Sequence, residues 1–515
     1  MVRMLKAPDS VEKRLPAAIF CLIFISEAAW GIYLGYEQNL LLGDAVSRTA
    51  NAFYVLFIKP YRLTSMGLVW NPLPSLLQLP FVLLARLWRP FVTKGIGAAI
   101  VTALLASWMG QTLQSTLQKF KVPALTSLVL TLLCSFNPYV FFYGANGMSE
   151  IFYYAFTVSI ICCLSQWLDN GAAKHLIKMG FSFVGLFLSR YEAIPFAIAV
   201  ALVMCIHMAT SPYEKQLWAD QPKKELFFYM ESTLWVTFLP MIYTVLTWII
   251  YNWAITGNPI YFMNSGYSMN ATSSYYMDYG GFWGALSYEW ARVWPFLFMF
   301  IAILIVRAAD KSLVTLDSLK ITLTTLSLTF FQLLMISRQK SEGYVRYLSY
   351  PLVLAMAWIP YQLKRLRQLK LKYAAGVLVV ALVINALYFG WALQHDSIMN
   401  EDTTLSVPPR SLELADYINS ELENETVLMD SFRTYYTIMN LDRFDYLITS
   451  CSVNYEEALE DPIANRVDYL VVPQPGGYGN MDALNIQFPG LYEGQLDWCE
   501  EVASFGEFKV FRVKR

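Results

Sequence analysis

The sequence predicts an α-helical polytopic membrane protein, with about eleven transmembrane helices and one interfacial helix, followed by a small soluble α/β domain. Three observations carry this expectation. Hydrophobic residues make up 56% of the 515-residue chain and charged residues 15%, against about 25% charged residues in ordinary soluble domains. Apolar runs close to the roughly 20 residues that cross a bilayer recur as far as residue 393. Beyond that point the charge balance changes: Gln394 to Arg515 holds 22 of the 39 acidic residues but 8 of the 38 basic ones. The net charge of −1 therefore conceals a basic membrane part, residues 1–393, and an acidic tail, residues 394–515.

The first apolar run, at about Ala17 to Tyr36, follows Arg3, Lys6, Lys13 and Arg14. A positive start and an apolar core are shared with signal peptides. This run is long and no small-residue cleavage motif follows it, so it is expected to be a retained span with a cytoplasmic N-terminus. Further runs lie at about Leu68 to Leu87, Gly95 to Leu117, Val122 to Phe142, Ile151 to Leu168, Leu176 to Leu188 and Ala193 to Met208. The series ends with Thr233 to Ile255, Val293 to Val306, Leu319 to Ile336, Tyr347 to Leu363 and Tyr373 to Leu393. The most basic connector, "KRLRQLKLK" at Lys364 to Lys372, is assigned to the cytoplasm. The last span then runs outward and the tail is extracytoplasmic.

An inside start and an outside end require an odd number of spans. "LVWNPLPSLLQLPFVLLARL", Leu68 to Leu87, is the run to remove, because three prolines break its helix and Arg86 and Arg89 close it as an interfacial element. The remaining eleven place every weakly basic loop inside: Lys119 with Lys121, Lys174 with Lys178, Lys215 with Lys223 and Lys224, and Arg307 with Lys311. They also gather one set of polar segments outside: "GDAVSR" at Gly43 to Arg48, "FYGANGMSE" at Phe142 to Glu150, "LSRYEA" at Leu188 to Ala193, a Gly/Asn/Tyr-rich loop from Thr256 to Arg292, and "SRQKSEGYVRY" at Ser337 to Tyr347. An ionisable residue costs roughly 2.5–3.5 kcal/mol at the centre of a span and marks functional pathways; at a span end it also serves as a snorkelling cap. Asp44, just before "AVSRTANAFYVLFI", has in addition the position of a helix N-cap.

The tail alternates short helical and β-rich runs. "RSLELADYINSEL" and "SFRTYYTIMN" read as helices, "TVLMD", "YLITS" and "DYLVVPQ" as strands, and "EVASFGEFKVFRVKR" as a terminal hairpin. "PQPGGYGN", Pro473 to Asn480, follows a strand but lacks the lysine and helix of a phosphate loop, and reads as an ordinary loop. Five cysteines (Cys21, Cys134, Cys162, Cys163, Cys205) sit in apolar runs as packing residues, whereas Cys451 and Cys499 in the tail could pair in an oxidising compartment. The sequons at Asn270 and Asn424 fall on the outer side.

Several chemistries lose their support. His175, His207 and His395 are scattered, no Cys or His pair has zinc spacing, and there is no Walker motif, dinucleotide fingerprint or nucleophile elbow. What remains is a set of carboxylates, Asp44, Glu150 and Glu192, and of cations, Arg48, Arg190, Arg338, Lys340 and Arg346. A carboxylate can take the proton of an attacking hydroxyl, and Arg or Lys can neutralise a phosphate leaving group. The set suits displacement at a carbon that bears a phosphate, and its position at the membrane edge favours a lipid-linked one.

This arrangement resembles the GT-C superfamily of polytopic glycosyltransferases, which includes protein O-mannosyltransferases, aminoarabinose transferases and catalytic subunits of oligosaccharyltransferases. "GDAVSR" looks like the acidic motif of their first extracytoplasmic loop, with Asp44 in the acid's place; "WNPLPSLLQLP" is similar to their interfacial helix, and "NPYVFFYGANGMSE" and "LSRYEA" to later polar turns. The chain departs from the protein mannosyltransferases in having one acid at position 44 instead of a pair, and from the oligosaccharyltransferases in lacking their Asp-any-Asp and tryptophan-led motifs. These departures argue against those families' substrates and their divalent metal. The resemblance implies transfer of a sugar from a polyprenyl-phosphate donor to a hydroxyl of a glycan, lipid or protein acceptor, with inversion. Asp44, Glu150, Arg190 and Glu192 would be catalytic, and Arg48, Arg338, Lys340, Arg346 and Tyr347 would bind substrate and lipid phosphate. No cofactor and no nucleic acid is expected, and a divalent cation is left open. The expected location is a plasma membrane, or the endoplasmic reticulum of a eukaryote. A transporter or flippase, and an inactive assembly subunit acting through its tail, are the alternative readings.

Overall fold

The computed structural model describes residues 10–210, 223–268, 278–401, 407–408 and 410–514. Eight of its helices are long and apolar enough to cross a bilayer, nine if one bent pair counts as a single span. They lie in α1 (Ser10–Tyr36), α6 (Ile96–Lys119), α9 (Glu150–Asn170), α11 (Ala193–Thr210), α12 (Lys223–Thr256), α14 with α15 (Gly281–Val293, Phe298–Ala309), α16 (Leu316–Ser337) and α19 (Leu371–His395). The bent pair is α7 (Ala124–Ser135) with α8 (Pro138–Ala145), which turn by 64°. The two remaining expected spans form α10 (Ala173–Phe187) and α18 (Tyr350–Lys364), each 15 residues long.

The break between α7 and α8 follows from Asn137–Pro138. Proline cannot continue the helix hydrogen-bond ladder, and it biases the residue before it away from helical geometry. The freed polar groups are recovered locally: Asn137 Oδ1 caps Tyr139 N at 3.1 Å, and Asn137 Nδ2 donates to Asn385 Oδ1 on α19 at 2.9 Å. α18 is short because it is central. All of its residues from Tyr350 to Leu363 are buried, against α9 among others, so protein surrounds it, whereas most of α12 is exposed on the bundle surface.

The Leu68 to Leu87 stretch forms no helix long enough to cross a bilayer. Its prolines cut it into α3 (Leu73–Leu76) and α4 (Leu79–Leu84), followed by α5 (Pro90–Thr93), and these fragments pack on α2 (Gly43–Phe57). Two expectations are corrected. The expected loop from Thr256 to Arg292 contains α14, continued through the turn Trp294–Leu297 into α15, because apolar residues extend further back than the hydropathy peak. Lys223 and Lys224, expected in a connector, begin the 34-residue α12. Arg3, Lys6, Lys215 and the Asn270 sequon lie outside the described residues; Asn424 is exposed.

The tail folds as a mixed five-stranded sheet of order β2-β1-β3-β5-β4, with β1 (Val427–Met429), β2 (Leu447–Ile448) and β3 (Tyr469–Pro473) parallel and β4 (Cys499–Phe505) and β5 (Phe508–Val513) an antiparallel hairpin on β3. Side chains alternate between its faces. Val427, Met429, Val471 and Val510 pack toward α20 (Ser411–Glu421) and α21 (Ser431–Met439) in one core that also takes in α2, whereas Leu428, Leu470, Val472 and Phe511 form a second core. Cys451 and Cys499 are free thiols, one in each core, so the expected pairing is absent. PQPGGYGN continues into a short 3-10 turn, Gly477–Met481.

α1 approaches the α6 and α8 backbones through Gly31. A Cβ there would lie 2.1 Å from the Ala145 carbonyl oxygen and 2.8 Å from Ala99 Cβ. Gly31→Val is therefore expected to destabilise the bundle by about 1–3 kcal/mol, the usual range of overpacking, read as a lower melting midpoint in detergent; an unchanged midpoint would show that α1 can move away freely.

Candidate active site

Four segments distant in sequence converge on one polar centre. α2 brings Asp44 and Arg48, the start of α9 brings Glu150, the turn after α10 brings Arg190 and Glu192, and α17 (Val345–Leu348) brings Arg346 and Tyr347. Arg346 Nη2 donates to Asp44 Oδ2 at 2.9 Å, and its Nε lies 3.5 Å from Glu150 Oε1. Arg190 Nη1 donates to the same Glu150 oxygen at 2.7 Å, and its Nη2 to Glu192 Oε1 at 2.9 Å. Tyr350 adds a hydroxyl donor to Glu192 Oε1 at 3.0 Å. The Tyr347 ring lies between two guanidiniums, 4.8 Å from Arg190 and 5.1 Å from Arg346.

Local structure fixes each arm. Ser75 Oγ donates to the Arg48 carbonyl at 2.9 Å and Thr49 Oγ1 to Gln78 Oε1 at 2.6 Å, which hold α2 on the proline-broken segment. The same segment grips the Arg190 turn: Leu73 N donates to the Leu188 carbonyl at 2.9 Å and Tyr191 OH to the Val69 carbonyl at 3.1 Å. α17 is set by Glu401, which accepts from Val345 N at 2.6 Å, and by Tyr279 and Tyr288, both donating to the Glu342 carbonyl.

Asp44 is not the N-cap that its position implies. The helix begins earlier, at Gly43, and its N-cap Leu42 has no side-chain capping bond; Asp44 stands in the first turn, directed at Arg346 and 43% exposed. Its partner Arg346 and Glu150 are almost fully buried. Arg48 differs from the other cations. It is 9% exposed, its guanidinium lies 4.5 Å over the Trp70 ring, and Nε and Nη1 have no hydrogen-bond partner among the described residues. Burial lowers its pKa to about 10, with Asp44 and Glu150 pulling the other way. For Arg190 burial also opposes charge, yet Glu192, Tyr350 and Glu150 hold it well above its usual value. Burial would raise the Glu192 carboxyl, but Arg190 overrides it and keeps it below the usual range.

Of the residues expected from sequence, Asp44, Arg48, Glu150, Arg190, Glu192, Arg346 and Tyr347 come together. Arg338 and Lys340 are exposed just beyond α16, and Arg338 forms no salt bridge among the described residues. Sequence reasoning missed Trp70, Tyr350, Ser149, whose Oγ accepts from Arg190 Nη1 at 3.5 Å, and Tyr344, whose ring lies 4.4 Å from the Arg346 guanidinium; these are aromatic or hydroxyl side chains with no local pattern to mark them. Among the described residues no three His, Cys, Asp or Glu side chains group as a metal ligand set. Asp44, Glu150 and Glu192 each face a guanidinium.

No protein-family model and no curated protein matches the chain. Among solved structures it is similar to the crystal structure of ArnT from Cupriavidus metallidurans in the apo state, at 12% identity and a TM-score of 0.52, over 96% of this chain and 98% of that one. The chain shares the fold of ArnT over nearly its whole length. The covered 96% takes in most of both the bundle and the tail, and the polar centre lies next to the contact between them at Tyr344 and Tyr478.

Arg190 is expected to be indispensable to this centre. Arg190→Leu leaves Glu150 and Glu192 buried without their main counter-charge, at a cost of about 3–5 kcal/mol. The pH dependence should also change sign. In the native chain Glu192, whose folded pKa is depressed, contributes stability that is present above the ordinary glutamate value of about 4.3 and lost as pH falls through the folded value. In the variant burial dominates and raises the Glu192 carboxyl, so the melting midpoint should increase as pH falls from neutral towards about 5. A midpoint that stays level or drops over that interval would refute this assignment.

Proposed function

We propose that the protein is a membrane glycosyltransferase that moves a sugar from a polyprenyl-phosphate donor to an acceptor hydroxyl, on the side of the membrane where the tail lies. The observation that carries this reading is the pair one turn apart on α2: Asp44, a half-exposed carboxylate, and Arg48, a buried guanidinium with two nitrogens that have no hydrogen-bond partner among the described residues. A buried, unsatisfied cation is costly, and an anionic ligand satisfies it. The GT-C fold, shared with ArnT, supports the same reading by analogy.

The reaction balances simply. The acceptor oxygen bonds to the anomeric carbon as the carbon–oxygen bond to phosphate breaks, the hydroxyl proton passes to Asp44, and the bonding electrons leave on the phosphate. A phosphodiester with one charge becomes a monoester with two, so the second charge develops in the transition state. Arg48 is the cation placed to meet it, and preorganised charge of this kind accelerates reactions more than it tightens substrate binding. Arg346 orients Asp44 through the 2.9 Å contact, Tyr347 packs between Arg346 and Arg190, and Arg190 with Glu150 and Glu192 forms the rigid floor. Arg338 and Lys340, both exposed, would act on an outer part of the lipid phosphate path. A single displacement inverts the anomeric carbon. The reading takes its charge neutralisation from guanidinium groups and includes no metal step; it places the protein in a plasma membrane or its topological equivalent.

Asp44→Asn should reduce release of polyprenyl phosphate from a radiolabelled polyprenyl-phosphate sugar by at least about 100-fold, with the melting midpoint retained. Arg48→Met should lower kcat at least as strongly as it raises the donor KM, as expected for an interaction that strengthens in the transition state. Undiminished transfer by the Asp44 variant would sink the mechanism.

A further inference from the structure

The glycine-rich stretch of the tail, PQPGGYGN, is built to hold one side chain over the centre just described. Gly476 and Gly477 have φ values of +117° and +50°, which L side chains rarely adopt, and a Cβ at Gly479 would lie 2.0 Å from the Gln474 carbonyl oxygen. The loop is nevertheless fixed. Gly476 N donates to Asn480 Oδ1 at 2.8 Å, and Asn485 Nδ2 donates to the Pro473 and Gly479 carbonyls at 2.9 Å each. What it presents is Tyr478.

The Tyr478 hydroxyl lies 2.8 Å from the Tyr344 hydroxyl and donates to Glu342 Oε2 at 3.4 Å. Tyr344 in turn lies under Arg346, 4.4 Å from guanidinium to ring, and Arg346 binds Asp44. A continuous series of contacts therefore joins the tail loop to the proposed base. Asp44 and Tyr347 both act electrostatically on the Tyr478 hydroxyl, whose pKa burial pushes up to about 12. Tyr478 is 37% exposed and Asp44 43%. They are the open parts of the assembly, in contrast to the enclosed Arg48, Glu150 and Arg346.

We propose that Tyr478 is the acceptor-binding residue of this site, and that the acceptor is a sugar ring. The inference rests on the glycosyl-transfer reading and names the acceptor class for it. A flat, partly exposed phenol ring held by its hydroxyl matches the apolar face of a pyranose, and the neighbouring Glu342 and Asp44 carboxylates accept hydrogen bonds from the ring hydroxyls. The residue comes from the tail and the base from the bundle, so acceptor binding depends on the two being docked.

The test is saturation-transfer NMR on the full chain in a non-glycosidic detergent. The probes are methyl α-mannopyranoside, methyl β-glucopyranoside and methyl β-arabinopyranoside, with N-acetylserine amide as the peptide-type comparison. The native protein should transfer saturation to the ring protons of at least one glycoside. Tyr478→Ala should reduce that signal at least about fivefold, the scale of one aromatic contact, and Tyr478→Phe should retain most of it. Equal melting midpoints will show that the variants fold. An undiminished signal in Tyr478→Ala overturns the proposal. So does an absence of glycoside signal in the native protein, or a loss in the Phe variant as large as in the Ala variant, which would trace the effect to the hydroxyl and not the ring. Binding needs no turnover, so a native chain that binds glycosides through Tyr478 but releases no polyprenyl phosphate would refute the reaction, whereas transfer that persists without the Tyr478 dependence would refute only this residue.

Discussion

The structure depends on burying guanidinium groups at the edge of an apolar bundle. Arg190 and Arg346 share one oxygen of Glu150 and each takes a second carboxylate, Glu192 for the first and Asp44 for the second. Desolvating either arginine alone would cost several kcal/mol, and the shared carboxylate makes each tolerable only while the other is in place. The network ties together α2, α9, the turn after α10 and α17, segments up to 302 residues apart in sequence. The broken segment, the Arg190 turn and the Glu401 contact to α17 can be understood as supports for this one charge arrangement.

α2 has two functions because it has two faces. One presents Asp44 and Arg48 to the centre; the other buries Val46, Ala50 and Phe53 in the core shared with the tail. Around it the joint is reinforced by side chains reaching backbone groups: Arg89 donates to the Met439 and Leu441 carbonyls at 3.0 and 2.7 Å, and Tyr436 OH to the Thr93 carbonyl at 3.1 Å. Such bonds satisfy helix-end carbonyls that would otherwise be stranded at an interface. The tail is thus part of the support of the helix that carries the proposed base.

Much of the fold is legible in the sequence, because crossing a bilayer imposes a strong length and polarity constraint. The runs containing α1, α6, α9, α11, α16 and α19 announce themselves, and the prolines of WNPLPSLLQLP give away a segment that cannot cross. The apolar run of DYLVVPQ and the β-rich FKVFRV after a Phe-Gly turn announce the sheet. The apolar run through Trp294 was read too short, since a 3-10 turn keeps two helices in one span without a polar signal. At the centre, the residue types and their common side of the membrane could be read, but not their partners. Nothing local distinguishes Arg346, which binds Asp44, from Arg338 eight positions earlier, which is exposed; the difference is that α17 is turned inward by Glu401 and the Tyr279–Tyr288 pair. Asp44 shows the reverse error. Its position fits an N-cap, but a buried arginine across the bundle outweighs a cap worth about 1 kcal/mol.

The spacing on α2 also constrains the proposed chemistry. Residues four apart on a helix face the same way with Cβ atoms about 5–6 Å apart, so Asp44 and Arg48 are held at a fixed separation that no loop movement alters. A single displacement needs a proton acceptor on the attacking side of one carbon and a cation on its leaving side, with that carbon and two oxygens in between. One rigid turn of helix supplies such a gap, and the Arg346 contact sets the direction of the carboxylate within it. Arg48 stacked on Trp70 keeps its charge at the inner end, while the exposed edge of Asp44 faces outward. On this geometry the donor phosphate would enter first and deepest, and the acceptor would approach last, from the side of the tail.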